Sequence, residues 1–275
     1  MTAVAERSRT QPVSRGRVTR RVSPLLGVTQ CLTLTWRGIV KIRRNPEVLF
    51  DVTLTPIIFL GLFVYVFGGA IEGSSQEYLQ FVLPGILGML TVFATMGVGV
   101  ALNQDLDKGV FDRFRSLPTW RVAPLVGAIG GDIIRQVIAI AVLLGFGAAL
   151  GFRFVTGFWS VLAACALALA FAMALSWLWV LLGLVMRKPQ SVQGLGTLIL
   201  FPLAFGSNIF VDPATMPSWM QRFVEVNPTR HLMDALRGLM LGGPVATPVF
   251  YTVLWMAGFV VVFAPLALWV YRRRA

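Results

Sequence analysis

Charged side chains of both signs are concentrated in one short segment between two apolar stretches, and they are the first candidates for chemistry. The segment carries Asp105, Asp107 and Asp112, followed by Arg113 and Arg115. Carboxylates and guanidinium groups form charge-assisted hydrogen bonds with complementary groups on another protein. The segment contains no histidine, cysteine or serine–base pair of the kind that a metal or hydrolytic centre needs. Two interpretations remain open, namely a surface that docks a partner or a basic loop that only anchors the chain.

Helical periodicity divides the same segment into two faces. At 100° per residue an apolar face is opposed by a polar one, and Pro118 ends the helix. The apolar face comprises Leu106, Val110, Phe111, Phe114 and Leu117, and the polar face Lys108, Asp112, Arg115 and Ser116. Such a helix can lie between a membrane and a soluble partner.

The remaining polar residues argue against an enzyme. His231 is the only histidine, so a histidine-based metal cluster cannot form within one chain. Cys31 and Cys165 show no metal-ligand spacing, and we expect no disulfide between them. We expect Asp132 and Arg135, three residues apart, to pair at the start of an apolar helix. The Gly-x-x-x-x-Gly-Lys-Ser/Thr phosphate cradle is absent, so any ATP-driven function needs a second polypeptide.

The elements that position these residues are apolar helices. The chain is 56% hydrophobic and 13% charged, with a mean hydropathy of +0.76, which indicates a membrane protein rather than a soluble domain. A hydrocarbon core of about 30 Å needs roughly 20 helical residues. Six stretches meet this length, at residues 52–70, 79–102, 133–152, 158–186, 192–211 and 248–271.

The basic residues set the expected orientation. Of the 24 Lys and Arg residues, 20 precede the first span, follow the last, or lie in the second and fourth connections, when the second is counted over residues 103–135 to include Arg135 at the start of the third span. Because basic loops stay in the cytoplasm, we expect both termini there. The net charge of +12 is then mainly a topology signal, and nucleic-acid binding is not expected. The high Ala, Gly, Val and Arg content is typical of a GC-rich bacterial genome, and we expect the chain in the inner (plasma) membrane.

Two further segments lie outside the predicted spans. Residues 1–23 predict a disordered basic tail, and residues 24–275 a single transmembrane domain that begins with an interfacial helix at 28–44. The polar face of that helix carries Arg37, Lys41 and Arg44, and an ordinary soluble amphipathic helix is the alternative. The external segment 212–247 predicts a short helix over 217–226 and a second, capped by Thr229 and ended by Gly242 and Gly243. We expect this segment to re-enter the outer leaflet.

The order of these elements resembles the type-2 ABC exporter permeases, and particular motifs narrow the resemblance. Residues 107–118 resemble the acidic-x-Gly-x-x-acidic-Arg-x-Arg-x-x-Pro coupling region of the daunorubicin-resistance permease family. Further motifs match that family in order: Gly151–Phe154, Arg187–Gln190, Phe201–Phe205, Met216–Trp219, Asn227–Pro228 and Asp234–Arg237. The stretch Gly206–Asp212 departs from the family, whose members more often carry small hydroxyl residues and a proline there.

The resemblance implies an exporter built from two permease chains and two separate ATPase chains that bind ATP and Mg. It makes the helix around Val110 to Leu117 a coupling helix that docks the ATPase, with the interfacial helix also in contact. The implied interface residues are Asp107, Gly109, Phe111, Asp112, Arg113, Arg115 and Pro118. The cargo pathway would run between the first, second and fifth spans of two subunits, and its residues are not assigned.

Three functions remain as predictions. The first is export of amphiphilic drugs or lipid-like natural products from the cytoplasm or inner leaflet. The second keeps the architecture but moves a glycan, a glycolipid or a cell-envelope lipid. The third is a membrane scaffold or enzyme without transport, which the absence of an ATPase partner would support.

Overall fold

The computed structural model describes residues 46–68, 74–108, 123–209 and 216–274, and helices account for all its regular structure. We number them α1 to α9 in chain order. They are α1 (Pro46–Leu62, continued by a π-helical turn, Phe63–Phe67), α2 (Ser75–Ala94), α3 (Met96–Asp107), α4 (Ala123–Ala149), α5 (Phe158–Val185), α6 (Pro189–Phe205), α7 (Ser218–Val226), α8 (Pro228–Leu241) and α9 (Ala246–Arg274). The prediction of an all-helical protein is confirmed.

Five helical stretches of the described residues are long and apolar enough to cross a membrane. They are Phe50–Phe67, Ser75–Asp107, Leu125–Ala149, Phe158–Val185 and Ala246–Arg273. The predicted fifth span, 192–211, corresponds to α6, which has 17 residues. Six crossings and their limits therefore stay predictions. The tail 1–23 and the interfacial helix 28–44, with Arg37, Lys41 and Arg44, lie outside the described residues.

Helix α5 lies at the centre of the bundle. It packs most extensively against α9 and also contacts α3, α8 and α4, while α1 packs mainly against α4. Phe171, Leu175 and Trp179 of α5 are almost completely buried. The core is therefore organised around one long apolar helix, and the outer helices leave many apolar side chains exposed, as lipid contact requires.

The bundle has two distinct ends. The basic end is defined by Lys108, Arg187, Lys188, Arg272 and Arg273, all exposed. The capped end is defined by Ser74, Gly151 and Asn227. The side chains of Ser74 and Asn227 accept backbone hydrogen bonds at the starts of α2 and α8, and the Gly151 carbonyl accepts from the side chain of Gln76 on α2. Since α3 connects directly to the segment predicted to couple with an ATPase, the basic end is where that segment starts.

Two local predictions need correction. The side chain that caps α8 belongs to Asn227, whose Oδ1 accepts from the backbone N–H of Thr229 at 2.9 Å. Thr229 is therefore not the cap, because Pro228 occupies the first helical position and Asn227 precedes it. Helix α4 begins at Ala123, so Asp132 lies inside the helix rather than at its start. The predicted helix over 217–226 and the end of α8 at Gly242 are confirmed.

Candidate functional site

At the basic end, two sequence-distant motifs lie beside one cleft. A cleft of about 780 Å³ is lined by Gln104, Asp107 and Lys108 of one connection and by Lys188, Pro189 and Gln190 of another. Asp107 and Lys188 are both exposed. The motif Arg187–Gln190 thus lies next to the first residue of the predicted docking segment. Of the predicted interface residues, Asp107 is placed here. Gly109, Phe111, Asp112, Arg113, Arg115 and Pro118 lie outside the described residues.

Helix α3, which leads to that cleft, is held tightly against α5. A Cβ atom added at Gly99 would lie 2.5 Å from the carbonyl oxygen of Trp179, and one at Gly183 would lie 2.6 Å from that of Gly99. Asn103 Nδ2 donates to the carbonyls of Gly183 and Met186, each at 2.8 Å. Small residues and an interhelical amide are the usual means by which membrane helices associate closely. Movement of α3 is therefore tied to movement of α5.

The long helix that contains α2 and α3 is interrupted at Thr95. The Oγ1 of Thr95 donates to the carbonyl of Val92 at 2.6 Å and accepts from Nε1 of Trp179 at 2.7 Å. The N–H of Val98 donates at 3.1 Å to the carbonyl of Thr95, three residues earlier, which is the 3₁₀ spacing and not the α-helical one. A threonine that bonds back to its own helix is a recognised cause of bending. Thr95 therefore divides the helix into two segments.

An ion pair inside α4 faces this interruption. Arg135 Nη2 lies 2.8 Å from Asp132 Oδ1, and Nε donates to the same oxygen at 2.9 Å, so the predicted pairing is confirmed. Arg135 Nη2 also donates to the carbonyl of Ala94, at the end of α2, at 2.8 Å. Gln136 Nε2 donates to Asp132 Oδ2 at 2.7 Å. The charges are satisfied inside the bundle, which explains how an apolar helix accommodates them.

At the capped end, Asn227 joins two helices through one side chain. Its Nδ2 donates to the carbonyls of Leu203 at 2.8 Å and Gly206 at 2.6 Å, at the end of α6. Its Oδ1 caps α8. The free carbonyls of one helix and the free N–H groups of the next are thus satisfied together. The motifs Phe201–Phe205 and Asn227–Pro228 meet here.

A second polar contact fixes α8 against α2. Arg237 Nη2 donates to the carbonyl of Ile209 at 3.0 Å, and its guanidinium carbon lies 4.0 Å from the centre of the Phe81 ring. Asn208 Nδ2 donates to Asp234 Oδ1. Asn208 belongs to the stretch Gly206–Asp212, so this stretch supplies one partner of Asp234, and Arg230 supplies another with Nε 3.5 Å from Asp234 Oδ2. Both end residues of the motif Asp234–Arg237 therefore hold α8 against neighbouring parts of the bundle.

His231 lies on α8 beside the start of α9. Burial lowers the pKa of the imidazole, and the positive charge of Arg230 lowers it further. The ring stacks on Tyr251 with centroids 4.9 Å apart. No group of three His, Cys, Asp or Glu side chains among the described residues could hold a metal ion.

The comparison with known proteins assigns this arrangement to a family. The family model for the ABC-2 type transporter matches residues 29–241. The chain belongs to the ABC-2 type transporter family. The matched range runs from the predicted interfacial helix to the end of α8 in this ABC-2 transporter.

Similar proteins are permeases by name. The daunorubicin resistance ABC transporter permease protein DrrB1 of Streptomyces coeruleorubidus is 44% identical over 247 residues, which cover 90% of this chain and 87% of the relative. The probable doxorubicin resistance permease DrrC of Mycobacterium tuberculosis is 28% identical over 250 residues and 90% of each chain. The putative transport permease ycf38 of Cyanophora paradoxa is 24% identical over 222 residues, 79% of this chain and 76% of the relative.

Sequence reasoning missed several residues that organise this ABC-2 transporter. Thr95 at the interruption and Gly99 and Asn103 on α3 recur every four residues, and together they meet Trp179 and Gly183. The spacing of small and polar residues on an apolar helix was a usable signal for close packing. The contact between Arg135 and Ala94 had no such signal, because it depends on where the helix is interrupted.

Proposed function

We propose that the chain is the permease subunit of an ATP-driven exporter that moves amphiphilic drugs or lipid-like natural products out of the cytoplasm or the inner leaflet. The observation that carries this proposal is the 44% identity to a daunorubicin resistance permease over 90% of the chain. Such coverage includes every described helix from α1 to α8. The membrane-length helices provide the apolar surroundings that an amphiphilic cargo needs.

Membership of the family implies an ABC ATPase partner and pairing with a second permease. We propose two permeases and two ATPases, with ATP and Mg bound by the ATPases. In this arrangement the segment that begins at Asp107 docks the ATPase, and nucleotide-driven movement passes into α3. The tight contact of α3 with α5 supports this role, since a rigid connection transmits displacement better than a loose one.

Helix α6 offers a surface for the cargo pathway. Gln193, Thr197, Phe201 and Phe205 recur every four residues and are all exposed. The rings of Phe201 and Phe205 stack with centroids 5.2 Å apart. A stripe that begins polar and ends aromatic suits a molecule with both characters. It lies in the predicted fifth span, which the proposal places opposite a second subunit.

The function is tested by purifying the complex from native membranes through a tag on this chain and reconstituting it. Daunorubicin accumulation inside the resulting proteoliposomes should require ATP supplied from outside. A complex that moves a lipid-linked glycan instead would favour the second candidate cargo. Failure of any ATPase to copurify under gentle extraction would contradict the exporter proposal.

The double substitution Asp112→Ala/Arg113→Ala should abolish copurification of the ATPase while leaving the permease in the membrane. Both side chains belong to the proposed docking surface, and truncating one partner of a buried, hydrogen-bonded charge pair at an interface typically costs about 2–5 kcal/mol or more. ATPase activity per mole of tagged permease gives the measurement. The matched control, Arg272→Ala/Arg273→Ala, removes charge from the same end and should retain the ATPase. Equal retention in both variants would contradict the assignment.

We also propose that the basic end faces the cytoplasm. A cysteine replacing Gln190 should then react with a membrane-impermeant maleimide only after the membrane is opened, and one replacing Glu77 should react in intact cells. Both positions are exposed and lie at opposite ends of the bundle. Cys31 and Cys165 are replaced by alanine in both variants. The reverse labelling pattern would invert the topology.

A further inference from the structure

Arg135 occupies the place where three helices meet the interruption at Thr95. Its guanidinium bonds to Asp132 on α4 and to the carbonyl of Ala94 on α2. Nη1 also lies 3.7 Å from Asp51 Oδ2 on α1. The Asp51 side chain is 61% exposed, whereas those of Arg135 and Asp132 are 22% and 9% exposed. The contacts to Asp132 and Ala94 are therefore the strong ones, and the contact to Asp51 is weaker.

The chemistry of the contact suits a residue that fixes the angle between two helical segments. The interruption at Thr95 alters the hydrogen bonding of the last carbonyls of α2, and the carbonyl of Ala94 takes its donor from Arg135. Asp132 holds the guanidinium in place from the same helix, so the donor is already oriented. Gly97, on the first turn of α3, leaves room for it, since a Cβ there would lie 3.0 Å from Arg135 Nη2.

The two segments joined at Thr95 have different partners. Beyond the interruption, α3 is bound to α5 by Asn103 and by the Gly99–Gly183 contact. Before it, α2 packs against α8, to which Arg237 connects it. A force applied to α3 at the basic end can therefore reach the capped end through the joint at Thr95.

We propose that Arg135 is a positioning residue for energy coupling, which fixes the angle between α2 and α3 by holding the Ala94 carbonyl. The proposal rests on the proposed exporter function. A joint without this hydrogen bond lets α3 follow the ATPase while α2 stays behind. ATP is then hydrolysed with less cargo moved for each molecule consumed.

The test uses the complete permease–ATPase complex in proteoliposomes, with daunorubicin as the probe. Arg135→Gln should lower the ratio of daunorubicin transported to ATP hydrolysed by about fivefold or more, within the usual range of coupling between sites. Arg135→Lys keeps the charge but not the fork of donors, so it should give an intermediate ratio. The control Arg222→Gln removes an exposed charge from α7 and should keep the wild-type ratio.

A second readout reports the joint itself. Spin labels at Glu77→Cys on α2 and Gln104→Cys on α3, both exposed, measure the distance across Thr95. In the wild type this distance should change when a non-hydrolysable ATP analogue is added, and in Arg135→Gln the distribution should broaden and lose that response. Cys31 and Cys165 are replaced by alanine here as well.

Several results would overturn the proposal. A merely structural role would lower transport and hydrolysis together and leave their ratio unchanged. If Arg135→Gln fails to accumulate, a wild-type ratio in Arg135→Lys overturns it. If the wild-type complex moves no daunorubicin, the proposed exporter function has failed. Independently of that result, an unchanged distance distribution in Arg135→Gln refutes the role of Arg135 at the joint.

Discussion

Replacing Gly99 by alanine should destabilise the protein by about 1–3 kcal/mol, although alanine is the better helix former. The added methyl group would meet the Trp179 carbonyl oxygen at 2.5 Å, and a backbone atom of a central helix cannot move away cheaply. Relief requires separating α3 from α5, which also lengthens the hydrogen bonds from Asn103. Thermal unfolding of the purified chain in detergent measures the loss.

The structure provides a control of the same chemistry. Gly258 lies in α9, and nothing lies within 4 Å of a Cβ built on it. Gly258→Ala should therefore be neutral or stabilising by up to about 1 kcal/mol. Gly183→Ala should resemble Gly99→Ala, and the double variant should lose less than the two losses added together, because both substitutions open one contact. Additive losses would show that the two glycines act separately.

Replacing Asn227 by alanine should cost about 3 kcal/mol or more. The substitution removes the cap of α8, worth about 0.5–2 kcal/mol, and leaves the part-buried carbonyl of Leu203 and the buried carbonyl of Gly206 without this donor, at about 1–3 kcal/mol each. Asn227 is 3% exposed, so water does not replace the amide readily. The same unfolding measurement applies, combined with the fraction of protein that elutes as a single species.

Two variants separate the roles of the Asn227 side chain. Asn227→Asp keeps the capping oxygen but turns a carboxylate towards the carbonyls of α6, so it should lose stability mainly at that contact. Ser74→Ala removes a more exposed cap, in which Ser74 Oγ accepts from the Glu77 N–H at 3.2 Å, and should cost about 1 kcal/mol. If Asn227→Ala destabilises the protein no more than Ser74→Ala does, the role of Asn227 in connecting α6 to α8 is wrong.

Local sequence signals predicted much of the fold. Apolar stretches located the long helices, and the paired glycines located the end of α8. The spacing of Asp132 and Arg135 predicted their ion pair. The start of α4 was placed too late because the charges were taken as a membrane boundary. Inside the bundle they are satisfied by each other, by Gln136 and by a backbone carbonyl, so the helix continues through them.

The candidate site was less accessible to sequence reasoning. Arg135 and Ala94 are separated by 41 residues, and their contact exists because the helix is interrupted at Thr95. The sequence marks Asn227–Pro228 only as a motif, yet the Asn227 side chain bonds to the end of a helix more than 20 residues earlier. Such contacts depend on the relative placement of helices, which periodicity within one segment does not encode. The docking residues after Lys108 and the cargo contacts remain predictions.

The length of α6 has a consequence for the surrounding lipid. At a rise of 1.5 Å per residue, its 17 residues extend over roughly 25 Å, less than the ~30 Å of a typical hydrocarbon core. The 28 residues of α5 extend over roughly 42 Å by the same rule. In the six-span topology, hydrophobic mismatch therefore differs around the subunit, with α5 accommodated by tilt and the bilayer thinned beside α6. On the proposed cargo pathway, the exposed stripe of α6 then faces the thinnest part of the membrane, where the barrier to a cargo is shortest.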